Sequence, residues 1–413
     1  MEEKNMRPMT HLLVLIAGCG LIGTCLGLGI NVAGLFFTSI ADDLQCGMGS
    51  ASATLTIYNL MHAFTGMIAP TVLERFGLKK TVYFGTALQV LSTFLLSMAQ
   101  SIGVLWLLNV LRGFAAGLIG TVSVTILINH WFHKDNALMT SIAIGFSGLA
   151  GALLSPLFSA LIQNNGYRFA YQIMAGIALM FHLPALLFPI SLRPEEKGLK
   201  AYGETEQRTE NPSEEKDVQV PVKLLFPMVI LYGICASATS ALPPHFAGLA
   251  ETYGLAALGA MMVSANMVMN TAGKVILGKW VDLSGVKQPV VVFSFLVALA
   301  SLCLFALRNP AILVGSAGLY GLCFALSTVS IAVLTRDVFG PARYKDLYPT
   351  AALTSTIAHA VFTVVFGLLF DRSQSYDSSL ILCALLGLCS LGLILCVYRI
   401  KEKRIAFPNQ NRR

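Results

Sequence analysis

Charge is what this sequence has least of. Only 12% of its 413 residues are Asp, Glu, Lys or Arg, about half of the 25% usual in a soluble globular domain, which excludes a chain solvated on every side. Acids are scarcest where they would matter most. None falls inside a long apolar run, and Glu74, Asp282 and Asp371 stand only at run ends. Cysteine pairs are missing as well: Cys19, Cys25, Cys235, Cys303, Cys323, Cys383, Cys389 and Cys396 lie inside apolar runs, Cys46 lies outside, and there is no C-x-x-C. That argues against disulfides and against a zinc site, so no metal is expected. Neither H-E-x-x-H nor G-x-S-x-G occurs, which leaves an enzyme without candidate residues. "GKVILGKW" (Gly273–Trp280) has the frame of a phosphate-binding loop, but Trp280 replaces the Ser or Thr and no strand precedes it, so ATP hydrolysis is rejected and no cofactor is expected. No small-residue cleavage site follows Met1–Thr10, so the first apolar run reads as a retained helix.

What the sequence has is apolar length. It is 55% hydrophobic with mean hydropathy +0.71. Runs of about 20 residues, enough to cross a hydrocarbon core of roughly 30 Å as helix, recur at 10–36, 50–73, 80–98, 103–127, 138–162, 169–191, 223–245, 257–280, 288–306, 311–334, 347–370 and 379–399. A bilayer offers no water to unpaired backbone groups, so these runs are expected to be helices. The expectation is an all-α membrane protein with twelve transmembrane helices.

The 28 Lys and Arg fix an orientation. With both termini in the cytoplasm, 23 fall in cytoplasmic tails, loops and span ends, three outside (Arg168, Arg308, Arg372) and two within span interiors (Arg112, Lys274), which satisfies the positive-inside rule; the expected location is the cytoplasmic (plasma) membrane. The net charge of +7 thus needs no nucleic-acid partner, and the "YRIKEKR" tail suits anionic lipid headgroups. A polar stretch, Arg193–Lys223, rich in Glu, Lys and Pro, reads as a solvated linker. The expected organisation is a six-helix bundle over 1–192, a cytoplasmic linker over 193–222, and a second bundle with a short tail over 223–413.

The halves repeat. "PTVLERFGLKK" (Pro70–Lys80) follows span two and "GKWVDLSGVK" (Gly278–Lys287) follows span eight, with Glu74 and Asp282 separated by 208 residues; at the same offset "LRG" (Leu111–Gly113) falls on "LYG" (Leu319–Gly321). Two pseudo-symmetric six-helix bundles are the signature of a transporter built from repeats, with substrate expected near the midplane between them. The loop after span two resembles the major facilitator superfamily signature G-x-x-x-D-R-x-G-R-K, with Glu74, Arg75, Gly77 and Lys79 matching in kind; Pro70, Glu74 and Leu78 depart from it. The second copy keeps Gly278, Asp282, Gly285 and Lys287, and "RGFAAG" (Arg112–Gly117) resembles the superfamily's fourth-helix R-x-x-x-x-G. Three further patterns, "NGYRFAYQIMAG", "RPEEKGLKAYG" and Lys274-x-x-x-Gly278-x-x-x-Asp282, resemble the monocarboxylate and oxalate/formate branch.

Candidate binding residues come from helical spacing. Asn266, Asn270 and Lys274 are four apart and share one face of span eight; subtracting 208 gives Tyr58, His62 and Gly66 on span two. A cation at the bilayer centre costs several kcal/mol or more unless it faces water, a partner or a ligand. Lys274 is therefore expected to bind a substrate carboxylate, with Asn270 and Asn266 hydrogen-bonding beside it; snorkelling to the interface is the competing reading. His62 and His359, near the middles of spans two and eleven, could carry a coupling proton or bond the substrate, or be satisfied by a neighbouring Ser or Thr. His182 is expected to be structural. For Arg112 the resemblance implies proton coupling or a tie between helices four and one, with bonds to backbone carbonyls as the alternative. Asn31 and Asn270 stand where the branch's relatives carry a lysine and an aspartate, so their proton–anion scheme does not transfer.

The signature residues Glu74, Arg75, Gly77, Lys79, Asp282, Gly285 and Lys287 are expected to gate, with Glu74, Arg75 and Asp282 forming salt bridges between helix ends. The reading is a monomeric secondary transporter moving a small organic anion, best matched by a monocarboxylate, by alternating access with either exchange against a counter-anion or proton coupling. One alternative is transport of amphipathic, drug-like compounds through a cavity lined by Met261, Met262, Met267 and Met269; another is a non-transporting membrane sensor.

Overall fold

The apolar runs are helical in a computed structural model of the chain, which describes residues 3–134, 136–203 and 221–406. Two compact units divide it, Met1–Thr209 and Glu210–Arg413. Span one is an α-helix over Glu3–Ile22 that loosens into a π-helical stretch, Gly23–Asn31, and resumes over Phe37–Asp43. Spans two and three are Met48–Phe76 and Leu78–Leu96. Span four is Ile102–Ile119 and Thr121–Trp131, broken at Gly120. One continuous stretch, Asn136–Leu187, turns at Gly166 and makes spans five and six.

In the second unit, span seven is Val222–Thr239 extended by Phe246–Thr252, span eight Ala256–Ser284 and span nine Lys287–Ala306. Span ten starts at Pro310, passes through a π-helical turn at Leu326–Ser330 and runs to a break at Gly340; span eleven continues from there to Ser373, and span twelve is Asp377–Ala406. Twelve spans follow, as the sequence predicts. Among the described residues, eight stretches are long and apolar enough to cross a membrane, one of which, Leu138–Leu187, contains two spans. Spans two, three and eight are not among them because they carry the polar residues: His62, Gln89 and the Asn266–Lys274 stripe among others. Two of these three, spans two and eight, carry the polar stripes.

The 208-residue repeat is built into the backbone. Gly77 and Gly285 end spans two and eight with φ of 78° and 79°, a left-handed conformation that L side chains avoid, and each N–H bonds the carbonyl four residues back, Leu73 and Val281, at 2.9 Å. A Cβ on Gly113 would lie 2.5 Å from the Tyr58 carbonyl oxygen, and one on Gly321 would collide with that of Asn266. Each pair crosses at the same repeat position, which requires glycine in both units.

The expected linker departs from a free coil in its first part. Pro194–Lys197 forms a helical turn, and Tyr202 accepts hydrogen bonds from the N–H groups of His133 and Lys134 while donating its own N–H to Trp131 O. The His11 ring sits edge-on to Trp131, Phe132 and Tyr202. Aromatic area, rather than charge, holds this segment against spans one and four. Residues 204–220 of the linker lie outside the described residues.

Candidate functional site

Span eight presents three faces. Met261, Val268, Val275 and Ile276 are exposed on one side, while Asn266 and Asn270 are buried on the opposite side. Lys274 continues the asparagine stripe away from the exposed face and is half-buried. It stands five residues, about 7.5 Å along the axis, before Lys279, the first exposed charge toward the helix end. Among the described residues no carboxylate pairs with its ammonium and no acceptor bonds it. Beside it, Asn266 donates through Nδ2 to Ala317 O at 2.9 Å and Asn270 leans on Met267 Sδ at 3.7 Å, while both Oδ1 atoms are buried without a hydrogen-bond partner among the described residues. One cation and two amides are thus aligned with unused hydrogen-bonding capacity.

His359 has a separate partner. Its Nδ1 is 2.9 Å from Ser240 Oγ of span seven, whereas the Ser355 and Thr363 hydroxyls bond carbonyls of their own helix, Ala351 O and His359 O.

In the first unit the stripe splits. Tyr58 is fully enclosed and donates to Cys25 O in the π stretch of span one at 2.7 Å. His62 is half-buried, its ring 6.2 Å from that of Tyr58, at the level where span four breaks: a Cβ on Gly120 would be 2.9 Å from His62 Nε2. Arg112 is buried, with Nε donating to Thr93 Oγ1 at 3.1 Å and Nη2 to Leu28 O at 3.2 Å and to Met174 Sδ at 3.3 Å; its guanidinium carbon lies 5.1 Å from the centre of the Tyr58 ring. Asn31 donates to Ser147 O of span five at 2.8 Å. Tyr58 and Asn31, candidates for the ligand site, and Arg112, for which a tie between helices four and one is one reading, use their donors to join spans one to six. The π stretch makes this possible, because it turns the Cys25 and Leu28 carbonyls toward donors on other helices.

The signature loops also correct an expectation. Glu74, Arg75 and Asp282 are exposed, and among the described residues none makes a salt bridge; short acids and an outward-turned Arg at a helix end stay in contact with solvent. The lysines do the tying. Lys79 Nζ reaches the carbonyls that end span six, Ala185 and Leu186 at 3.0 Å each and Phe188 beyond them, a favourable place for a cation. Lys287, at the equivalent position of the second unit, bonds Glu402 on span twelve at 2.9 Å.

Sequence reasoning passed over His245. It is buried after the Pro243–Pro244 break in span seven, with Nε2 donating to Thr363 O at 2.9 Å and Nδ1 3.3 Å from Tyr376 Oη. The signal was there in part: Tyr376 occupies the position 208 residues after Arg168.

Comparison with known proteins agrees with the twelve-helix fold. The family model described as Major Facilitator Superfamily matches residues 19–348 and 228–413. Monocarboxylate transporter 12 of Mus musculus is 24% identical over 437 residues, covering 96% of this chain and 87% of its own. Drug efflux pump JefA of Mycobacterium tuberculosis is 24% identical over 186 residues, 44% of this chain and 36% of its own. The crystal structure of the nucleoside transporter NupG has the same fold, with a TM-score of 0.69 at 13% identity over 96% of this chain and 99% of that one. A multi-pass helical membrane protein with this repeat and these relatives is a transporter and not an enzyme: the chain belongs to the Major Facilitator Superfamily.

Proposed function

We propose that this transporter moves a small organic anion, best matched by a monocarboxylate, and that Lys274 is the charge that binds it. The observation that carries the reading is the half-buried ammonium without a carboxylate among the described residues, since an intramembrane cation is retained for a partner or a ligand. Asn266 and Asn270 offer their unpaired amide oxygens to a carboxylic-acid proton or a hydroxyl on the substrate. Arg112, the other cation drawn inside a span, is held by Thr93, Leu28 O and Met174, so one free charge suits a monoanion and a dianion would lack its second. The relative named a monocarboxylate transporter spans nearly the whole chain, which supports the same class. A wide methionine-lined cavity for drug-like compounds finds less support: Met262 and Met267 are packed in the core and Met261 is on the exposed face.

The test is counterflow in proteoliposomes with labelled formate, acetate, lactate, pyruvate and oxalate. Saturable exchange of one monoanion is expected, with Lys274→Gln reducing it roughly 10- to 100-fold, the range of one charge-assisted hydrogen bond, and Lys274→Arg retaining a measurable part. Equal exchange in Lys274→Gln and wild type sinks the assignment. His62, which has no hydrogen bond among the described residues, is the stronger candidate for a coupling proton than His359, whose Nδ1 is engaged by Ser240. His62→Gln is expected to abolish accumulation driven by a pH gradient and leave exchange intact; unchanged acid-driven accumulation removes His62 from the mechanism. The lysine distribution supports insertion in the cytoplasmic membrane with both termini inside.

A further inference from the structure

His182 of span six is a buried titratable side chain to which anion transport gives no role. It is 0% exposed, and neither ring nitrogen has a hydrogen-bond partner among the described residues. An imidazole needs a donor and an acceptor for its two nitrogens, and native interiors seldom leave both unmet.

Three contacts fix what lies opposite. Lys79 with Ala185 O and Leu186 O, Thr93 with Met174 through Arg112, and Arg168 with Ser97 O and Ala99 O set spans three and six antiparallel in a single register. In that register His182 is level with Gly85 and Thr86. Thr86 Oγ1 is buried and unpartnered among the described residues, and so is Gln89 Nε2 one turn along. Span one closes the third side, its Gly20 packed directly on Phe181 O. On His182's own buried face the residues about a turn to either side are Ala178 and Ala185, too short to fill the space beside an imidazole.

The geometry points to an internal hydration site in the first unit, in which one or a few water molecules bridge His182, Thr86 and Gln89. Water both donates and accepts, as this set of an imidazole, a hydroxyl and an amide N–H requires. The nearest charges, Lys79 and Arg112, are already bonded to carbonyls and side chains at either end, so an ionic guest has no counter-charge here. The site is distinct from Lys274 and does not depend on the transported anion.

Radiolytic hydroxyl labelling of the full-length protein in lipid nanodiscs, read by mass spectrometry, tests this, because radicals formed from resident water oxidise the side chains beside it. His245 is the internal standard, being equally enclosed but with both nitrogens bonded within the protein. His182 is expected to label several-fold faster than His245, and the double variant Thr86→Val, Gln89→Leu to slow that labelling several-fold. Labelling of His182 no faster than His245 in the wild-type protein overturns the site; so does a rate in the double variant equal to that of wild type.

Discussion

The two units hold equivalent helices together by different chemistry. At the position where the first unit has Arg112, bonded to Leu28 O of its first span, the second has Tyr320, buried and donating to Thr239 O of its first span at 2.9 Å. Where the first has Arg168, bonded to Asp43 and to the Ser97 and Ala99 carbonyls, the second has Tyr376, bonded to His245 and stacked on Phe370. Twice a cation in one unit is replaced by a phenol in the other. At these two positions the second unit joins its helices without a cation, while Lys401 and Lys287 tie span twelve to spans ten and nine; Lys274 makes no such tie among the described residues. A charge kept where the architecture does not need it is the strongest ground for a ligand.

The largest structural effect expected from this comparison is on Arg112. Removing the guanidinium in Arg112→Met takes away its bonds to the Leu28 carbonyl and to the Thr93 hydroxyl, which keeps only its own bond to Gln89 O, and roughly 3 kcal/mol of stability should go with hydrogen bonds from a charged donor. Tyr320→Phe removes one neutral hydrogen bond and should cost about 1 kcal/mol. Thermal melts of the two variants in detergent read the difference directly. Equal losses would mean that Arg112 is no more an anchor than Tyr320 and would return it to the candidates for binding or coupling.

Where the units agree, substitutions should agree as well. Gly113→Ala and Gly321→Ala each drive a methyl group into a backbone carbonyl, of Tyr58 and Asn266 respectively, and backbone cannot rotate away as a side chain can. Overpacking of this kind costs about 1–3 kcal/mol, and the two losses should match. A loss in one unit only would show that the repeat in sequence is not a repeat in packing tolerance.

How much of this was legible beforehand depends on the range of the interaction. The twelve spans, the repeat and the two turn glycines could be read because apolar length and left-handed backbone are local properties. The asparagine–lysine stripe was legible because helical spacing puts its members on one face. The fate of Tyr58 was not: whether its hydroxyl points to a ligand or to Cys25 O depends on a π-helical stretch in span one that no motif announces. Exposed signature acids defeated the reading for a related reason, since a salt bridge requires a partner from another helix, and the sequence records the acids without their distances. Lys79 and Lys287 carry the tie instead because a four-carbon stem reaches a neighbouring helix end.

The smallest effect expected lies where the first unit uses an ion pair at a helix end. Asp43 accepts hydrogen bonds from the Tyr167 hydroxyl and from Arg168, both at 2.8 Å, and these two neighbours, the tyrosine first, hold its carboxyl below the usual carboxylate range. The sign follows from that depression. The stabilisation is fully present above the unfolded value of about 3.9 and is lost as pH falls through the lower folded value, where protonation removes the charge that Arg168 and Tyr167 favour. Because the pair is well exposed, with side-chain exposures of 37% and 45%, its worth is under about 1 kcal/mol and should shrink further in high salt. Melting curves of wild type and Asp43→Asn should differ by a constant amount from neutral pH down to about pH 4 and converge below it. In the second unit Tyr320 donates to the backbone carbonyl of Thr239, a partner that does not titrate, so Tyr320→Phe should show no convergence in that acid range. Convergence in both variants would mean that the acid loss belongs to the whole chain and not to the pair at Asp43.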